Sequence, residues 1–254
     1  MKKLLTVMTM TLCFILPTNV FANEFDSLVN TVPVPGSGIN EGYTLPTQDQ
    51  INAEAAKAAI AEAYTEAKRA PGLSLQAAGG SKTNLVGSYK QAQSYTCGPA
   101  AARNAIAGYL SKNGLSSLPT EATLASALGT TTAGTGFDAT LWQNVMNQYA
   151  PGNNYTLVWG TTSGWSASLS AKVIYAIDKT NNYDVIADLY HGATSTPINA
   201  AYASGAAHYV CIYGYNDSAQ TYNVSDSNTA VSQTLYTTTY AKMANATQQR
   251  GIIW

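Results

Sequence analysis

Apolar positions recur at helical spacing through most of the chain, and they alternate with polar positions mainly in its later part. Helical patterns are predicted for 48–70, 97–110, 119–128, 138–149, 166–178 and 238–246, with Asp138 as an N-cap residue. Strand patterns are predicted for 155–159, 183–190, 208–215, 220–225 and 251–254. Because helices come first and strands later, the pattern predicts an α+β fold, with helices grouped apart from an antiparallel sheet.

An alanine-rich helix separates a segment of low periodicity from the rest of the chain. Residues 23–46 contain three prolines and three glycines, which favour an extended backbone. The helix at 48–70 is expected to end at Pro71-Gly72, and its apolar face is mostly methyl groups, so it should bury little area. Gly79-Gly80 is typical of a hinge. We therefore predict that residues 23–80 form a separate segment before a domain at 81–254.

The N-terminus has the three-part pattern of an export signal. Met1-Lys2-Lys3 supplies positive charge, residues 4–16 form an apolar run of 13 residues, and Val20-Phe21-Ala22 provides a cleavage site. An apolar helix of this length is too short to cross a hydrocarbon core of about 30 Å. We therefore predict a signal peptide of bacterial type at 1–22, and a mature chain that is secreted and not inserted in a membrane.

Composition narrows the classes of ligand and partner. Only 11% of the 254 residues are charged, 17 are tyrosine, and the formal net charge is −1. No basic stripe is present that could follow a phosphate backbone, so nucleic acid is not an expected partner. The histidine and cysteine spacings do not match a zinc site, and no phosphate loop or dinucleotide fingerprint occurs. We expect no metal and no cofactor.

The stretch QAQSYTCGP at 91–99 is the strongest indication of chemistry. Cys97 begins a predicted helix, whose first amides carry a partial positive charge that favours thiolate over thiol. Pro99 is tolerated in the first turn of that helix. Gln91 is placed to direct its side-chain NH2 toward an oxyanion that develops beside the sulfur. Gln93 is the alternative donor, and the six-residue offset favours Gln91.

Two histidines follow the predicted signal, His191 and His208. His208 lies near the start of its predicted strand, and Asp226 lies at the end of the next one. In an antiparallel hairpin these two ends meet, so Asp226 would fix the tautomer of His208 and support its imidazolium form. We predict His208 as the base for Cys97. His191 is the rival base, although no carboxylate hairpin follows it, and Asn223 is the alternative to Asp226.

Cys97 and Cys211 are the cysteines that follow the predicted signal, and in an oxidising compartment the ordinary interpretation is a disulfide. Cys211 lies three residues after His208, so strand alternation would place these two side chains on opposite faces. If His208 faces Cys97, Cys211 faces away. We therefore expect Cys211 to be a core residue that is not bonded to Cys97.

The ordered set Gln91, Cys97-Gly98-Pro99-Ala100, His208 with Gly214-Tyr215, and Asp226 resembles a known family. It is similar to the papain-like cysteine peptidases of bacteria that are related to the double-glycine leader peptidase, most of all to their stand-alone secreted forms. The resemblance covers roughly residues 84–254. It extends to Ala127-Leu128-Gly129-Thr130 and Gly134-Thr135, which resemble the helix end and glycine turn that follow the nucleophile helix.

The resemblance implies a papain-like α+β fold, in which the nucleophile helix packs against an antiparallel sheet that carries the histidine and the aspartate. It implies that Cys97 is the nucleophile, His208 the general base and then acid, Asp226 the orienting acceptor, and Gln91 the oxyanion donor. Ser227 follows Asp226 where the family commonly has proline. The chain departs from the family pattern at this point.

We therefore expect a secreted thiol peptidase that acts on peptide or protein substrates. An amidase or acyl transferase of the same fold is one alternative function. A non-catalytic extracellular binding module with an inert thiol is another. Residues 23–80 are interpreted as an inhibitory pro-segment, a spacer or a cap over the cleft, and the sequence leaves these three roles open.

Overall fold

The computed structural model describes residues 45–70, 80–161, 163–191, 196–202 and 206–254. The predicted signal peptide, nearly all of the segment 23–46, the helix stop at Pro71-Gly72 and Gly79 lie outside these residues. The described helices are α1 (Gln48–Arg69), α2 (Cys97–Lys112), α3 (Glu121–Ala127), α4 (Ala139–Tyr149), α5 (Trp165–Asp178) and α6 (Tyr240–Thr247). The described strands are β1 (Ser81–Thr83), β2 (Leu157–Trp159), β3 (Val185–His191), β4 (Ala206–Asn216), β5 (Thr221–Ser225), β6 (Leu235–Thr239) and β7 (Gly251–Ile253).

Each helix and strand predicted from the pattern is present, with ends shifted by one or two residues. Asp138 caps α4, since its carboxylate accepts a hydrogen bond from the amide of Leu141 over 2.9 Å. The predicted start of the last helix at residue 238 is wrong. Thr238 and Thr239 belong to β6, and Thr239 caps α6 by accepting from the amide of Lys242 over 3.2 Å.

The described strands form one antiparallel sheet in the order β2-β7-β3-β4-β5-β6, and β1 also pairs with β4. The predicted combination of helices with an antiparallel sheet is confirmed. The central strands β3 and β4 are almost wholly buried. Because a strand buried on both faces must be covered on both, helices pack on each side of the sheet and are not grouped apart from it. The expectation of separated helices is wrong in this respect.

Alternation along β4 shows which helices cover which face. Tyr209 and Cys211 belong to a core cluster with residues of α2 and α4. Val210 and Ile212 belong to a second cluster with residues of α5 and α6. The helix that begins at Cys97 therefore lies on one face of the sheet, and α5 lies on the other.

Helix α1 packs on α5, on the face away from α2. Its buried residues are Ala61 and Thr65, and polar side chains make its remaining contacts. Arg69 binds Asp217 with two hydrogen bonds of 2.7 and 2.9 Å, and Lys57 donates to the carbonyl of Trp254 over 2.7 Å. Neither α1 nor any other helix in the described ranges is long and apolar enough to cross a membrane. The division of the chain near residue 80 stays a prediction.

Candidate active site

Cys97 is the first residue of α2 and is 9% exposed. Thr96 precedes it but does not cap the helix, because its hydroxyl oxygen accepts from the amide of Gln93 over 3.1 Å and donates to the Gln93 carbonyl over 3.0 Å. Amides in the first turn of a helix have no carbonyl acceptor within the helix. The amides of Cys97 and Gly98 therefore place partial positive charge beside the sulfur, where it stabilises a thiolate or an oxyanion.

The turn at 130–135 packs against the start of α2. A Cβ atom on Gly98 would lie 2.7 Å from Thr135 Oγ1, so only glycine permits this close approach. The hydroxyls of Thr130 and Thr135 are hydrogen-bonded over 2.8 Å. The carbonyl of Thr135 accepts from the Tyr209 hydroxyl of β4 over 3.3 Å. The turn thus links the nucleophile end of α2 to the sheet.

His208 and Asp226 meet across the β4–β5 hairpin. The strand register pairs Cys211 with Ser225, which brings Asp226 level with Val210, two residues after His208 on β4. His208 Nε2 lies 2.9 Å from Asp226 Oδ1. The His208 side chain also interacts with the Cys97 thiol. The structure therefore brings together the three side chains that the sequence proposed as nucleophile, base and orienting group.

Two tyrosines that the sequence did not single out also bind Asp226. The Tyr202 hydroxyl lies 3.0 and 2.8 Å from the two carboxylate oxygens, and the Tyr236 hydroxyl donates to Oδ2 over 2.7 Å. The amide of Asn228 donates to Oδ1 over 2.9 Å. With His208, these donors hold the carboxylate in one orientation although it is completely buried. No local pattern marks Tyr202 or Tyr236: Tyr202 ends a short 3-10 helix before β4, and Tyr236 lies on β6.

The charges of His208 and Asp226 support each other. Burial acts to lower the pKa of His208, but the hydrogen bonds to Asp226 and Cys97 outweigh burial and raise this pKa to about 9. Burial acts to raise the pKa of Asp226, but the hydrogen bond and the charge of His208 outweigh it and lower this pKa below its usual range. The pair is therefore an imidazolium and a carboxylate at neutral pH.

Gln91 is attached to the hairpin that carries Asp226. Its amide donates to the carbonyl of Ser227 over 2.9 Å, and its Oε1 accepts from the Ser227 hydroxyl over 3.4 Å. Its Nε2 donates to the carbonyl of Gln93 over 2.9 Å. Because an amide NH2 has two hydrogens, a second one is available for a ligand. Gln93, the alternative donor, is exposed to solvent.

The other candidate residues occupy different places. His191 ends β3 and stacks on Tyr202, with ring centroids 5.3 Å apart and planes 16° apart. Burial and the charge of His208 lower the pKa of His191 to about 4. Asn223 donates to Thr83 of β1 over 2.9 Å. Within the described residues, no group of three His, Cys, Asp or Glu could hold a metal ion.

Cys211 lies on the face of β4 opposite to that of His208, as strand alternation predicted. It belongs to the same core cluster as Cys97, so the expectation that it faces away from the side of Cys97 is wrong. Cys97 reaches His208 nevertheless, because Cys97 is the first residue of its helix and His208 is near the start of its strand. Cys97 and Cys211 are both free thiols. Cys211 is completely buried, with its sulfur 3.7 Å from Asp184 Oδ2.

Tyr236→Phe tests whether the second tyrosine supports Asp226. Loss of a buried hydrogen bond to a charged group is expected to lower the free energy of unfolding by about 1.5–3 kcal/mol. Asp226 has a folded-state pKa below the ordinary value of 3.8, so this stabilisation is present above that pH and is lost as the pH falls through the folded-state value. The measurement is urea unfolding at neutral pH and at about pH 3.

Tyr222→Phe is the matched control for Tyr236→Phe. The Tyr222 hydroxyl is buried and has no hydrogen-bond partner among the residues that the structure describes. Its removal is therefore expected to leave stability unchanged or slightly higher. Equal losses in the two variants would show that the Tyr236 hydroxyl has no special role at Asp226.

One of the comparisons with known proteins gives a match. The model of the Peptidase_C39 like family matches residues 83–251, which is about two thirds of the chain. A search of curated proteins finds no match. The matched region begins at the end of β1 and contains each of the candidate site residues. The chain therefore belongs to the Peptidase_C39 like family of cysteine peptidase-like proteins, and this membership suggests cysteine peptidase activity.

Proposed function

We propose that the mature chain is a secreted thiol peptidase that hydrolyses peptide bonds. The observation that carries the proposal is the hydrogen bond between His208 and Asp226, beside a cysteine at the first residue of a helix. A thiol, an imidazole and a buried carboxylate in this order are what nucleophilic catalysis by cysteine requires. The Peptidase_C39 like family supports the same class of reaction.

In the first half of the reaction, the Cys97 proton resides on His208 and the thiolate attacks the carbonyl carbon of the substrate. A carbon–sulfur bond forms, and the negative charge moves to the carbonyl oxygen. The Cys97 amide and Gln91 Nε2 are the proposed donors to this oxyanion. His208 then gives its proton to the amide nitrogen of the substrate, the carbon–nitrogen bond breaks, and the amine product leaves.

In the second half, His208 takes a proton from water, and the resulting hydroxide attacks the thioester. The carbon–sulfur bond breaks, the acid product leaves, and the released Cys97 thiolate with the proton that stays on His208 restores the starting ion pair. Asp226 holds the imidazole in one tautomer throughout and stabilises its charged form. Four hydrogen-bond donors keep that carboxylate in place, so its orientation does not depend on His208 alone.

The export part of the proposal rests on the sequence of residues 1–22, with two lysines before an apolar run and Ala22 at the cleavage position. The low charge of the whole chain suits an extracellular surface. Expression in a bacterial host should yield a protein outside the cytoplasm whose intact mass begins at residue 23. A mass that retains Met1 would contradict export by signal cleavage.

The peptidase part is tested by incubating the chain from residue 23 with a peptide library and mapping products by mass spectrometry. New peptide termini that form at a consistent sequence are the expected result. Release of amines from non-peptide amides without peptide cleavage would assign an amidase instead. A chain that forms no thiohemiacetal adduct with a peptide aldehyde and cleaves nothing would be a binding module with an inert thiol.

A further inference from the structure

Asp188 lies in the middle of β3, and the proposed reaction gives it no role. It is completely buried, opposite Tyr209 of β4 and Gly251 of β7. Neither of its carboxyl oxygens receives a hydrogen bond from the residues that the structure describes. Because a buried carboxyl group without donors is unfavourable, its presence beside the site calls for a physical explanation.

Tyr209 connects Asp188 to the turn that packs under Cys97. The Tyr209 ring lies against Trp142, with centroids 5.2 Å apart, and its hydroxyl donates to the carbonyl of Thr135 over 3.3 Å. Tyr209 is also the direct cross-strand neighbour of Asp188, and the two side chains interact electrostatically. A phenol has a single proton to donate, although its oxygen can also accept. Thr135 and Asp188 therefore compete for the Tyr209 proton.

Two hydrogen-bond arrangements are possible, and they differ in whether Asp188 is protonated. When Asp188 is protonated, Asp188 donates to the Tyr209 oxygen while Tyr209 donates to the Thr135 carbonyl, and every group in the chain is satisfied. When Asp188 is ionised, its carboxylate accepts the hydrogen bond of the Tyr209 hydroxyl, and the Thr135 carbonyl loses its donor. In the structure the Tyr209 hydroxyl donates to the Thr135 carbonyl and not to Asp188, which is the arrangement that the protonated state requires of Tyr209.

We propose that Asp188 is a positioning residue that acts in its protonated form, through Tyr209 and Thr135, to hold the 130–135 turn against Gly98 and Cys97. Thr135 is the residue whose side chain contacts Gly98 closely enough to exclude a Cβ atom. When the Thr135 carbonyl loses its hydrogen bond from Tyr209, the 130–135 turn therefore packs less firmly against the first turn of α2. The inference rests on the proposed function, since it assigns a supporting role for the nucleophile.

Burial and the groups that face Asp188 together set its pKa near neutral pH. Burial raises the pKa of Asp188 to about 7, against the opposing effects of Arg250, Tyr209 and His208. Arg250 directly precedes β7, and its guanidinium lies 5.5 Å from the centre of the Tyr190 ring. Tyr209 and His208 belong to β4, and the charge of Cys97 acts on Tyr209. Asp188 is thus protonated in mildly acidic solution and ionised in mildly alkaline solution.

Hydrogen exchange of the 130–135 turn measures this positioning without any catalytic assay. The amides of Thr130, Thr131 and Gly134 are hydrogen-bonded to carbonyls within or beside the turn. After correction for intrinsic rates, their protection in the wild type is expected to fall about five- to tenfold as the pH rises through about 7. In Asp188→Asn, whose amide donates to Tyr209 at every pH, protection is expected to stay high and independent of pH.

Tyr209→Phe is the second variant, because it removes the hydroxyl link and keeps the ring against Trp142. It is expected to lower protection of the turn at both pH values by about the same factor. A wild type whose protection is independent of pH, or an Asp188→Asn variant that follows the wild-type pH dependence, would overturn the inference. If Asp188→Asn does not fold, unchanged protection in Tyr209→Phe would overturn it equally.

Peptide turnover then separates this inference from the proposed function. The alkaline fall in kcat/KM is expected near the Asp188 pKa of about 7 in the wild type, and near the His208 pKa of about 9 in Asp188→Asn. A shift in exchange without any peptide cleavage would support the positioning and contradict the peptidase. Cleavage with identical pH profiles in both proteins would support the peptidase and contradict the positioning.

Discussion

Cys97→Ala is expected to lower kcat/KM for peptide cleavage by a factor on the order of 10⁴–10⁶. The variant has no sulfur that can form the acyl intermediate. The oxyanion donors and the His208–Asp226 pair therefore cannot contribute to catalysis. The fold should be retained, because only a sulfur atom at the helix terminus is removed. Initial rates with the best substrate from the peptide library provide the measurement.

Cys211→Ala is the matched control for this experiment. Cys211 is the second free thiol of the described structure and lies deeper in the same core cluster as Cys97. Its sulfur is hydrogen-bonded to Asp184, which the proposed reaction does not use, so turnover is expected to stay within about twofold of the wild type. The small cavity should lower the free energy of unfolding by about 1 kcal/mol. Loss of turnover in Cys211→Ala alone would contradict the assignment of Cys97 as nucleophile.

Alkylation of the wild type should show the same difference between the two thiols. Iodoacetamide is expected to modify Cys97, which is partly open to solvent at 9% exposure, and to leave Cys211 unmodified while the protein is folded. Peptide mapping after denaturation and a second, isotopically distinct label identifies which thiol reacted first.

Local sequence was sufficient for most of the fold. Helices α2, α4 and α5 have apolar spacing that acts within a single element, and the capping carboxylate of Asp138 on α4 was placed correctly. The β4–β5 hairpin was also predictable, because alternating residues flank a short turn. That hairpin alone sets His208 beside Asp226. The pairing of His208 with Asp226 is therefore a local property of about 20 residues.

Features that depend on distant parts of the chain were not predictable. Strand β1 is three residues long and exists through pairing with the end of β4, and β6 is a threonine-rich segment that exists through pairing with β5. Tyr202 and Tyr236 bind Asp226 from 24 and 10 residues away. Nothing in the composition distinguishes these tyrosines from the other members of a tyrosine-rich chain.

The placement of Cys211 shows a second limit of prediction from sequence. Alternation correctly separates His208 from Cys211 along a strand, but it does not specify which face the nucleophile helix covers. In the structure α2 covers the face of Tyr209 and Cys211, and contact with His208 occurs where helix and strand begin. The position of an element end relative to a sheet is a tertiary property.

His208→Gln is expected to lower the rate of Cys97 alkylation at about pH 6 by about 100-fold, and to lower kcat/KM by about 10³–10⁴-fold. An ordinary cysteine thiol is deprotonated to well under 1% at about pH 6, so fast alkylation there requires a base that holds the proton. His208 meets this requirement because its pKa is raised to about 9. Alkylation across a pH series, followed by mass spectrometry, measures the effect.

The same variant should change how stability depends on pH. The pKa of His208 is about 9 in the folded protein and 6.5 ordinarily, so its charge stabilises the fold fully below about pH 6.5 and progressively less as the pH rises through 9. The difference in unfolding free energy between the wild type and His208→Gln is therefore expected to shrink across that range. A difference that grows with pH would contradict a paired imidazolium.

His191→Gln is the matched control, since it replaces the second histidine of the described structure with the same neutral side chain. Burial lowers the pKa of His191 to about 4, so at about pH 6 the wild-type ring is already neutral and the substitution changes no charge. Loss of its stacking on Tyr202 should cost about 1 kcal/mol of stability, with alkylation of Cys97 retained. If alkylation is instead lost in His191→Gln and retained in His208→Gln, His191 is the base and the hairpin with Asp226 is structural.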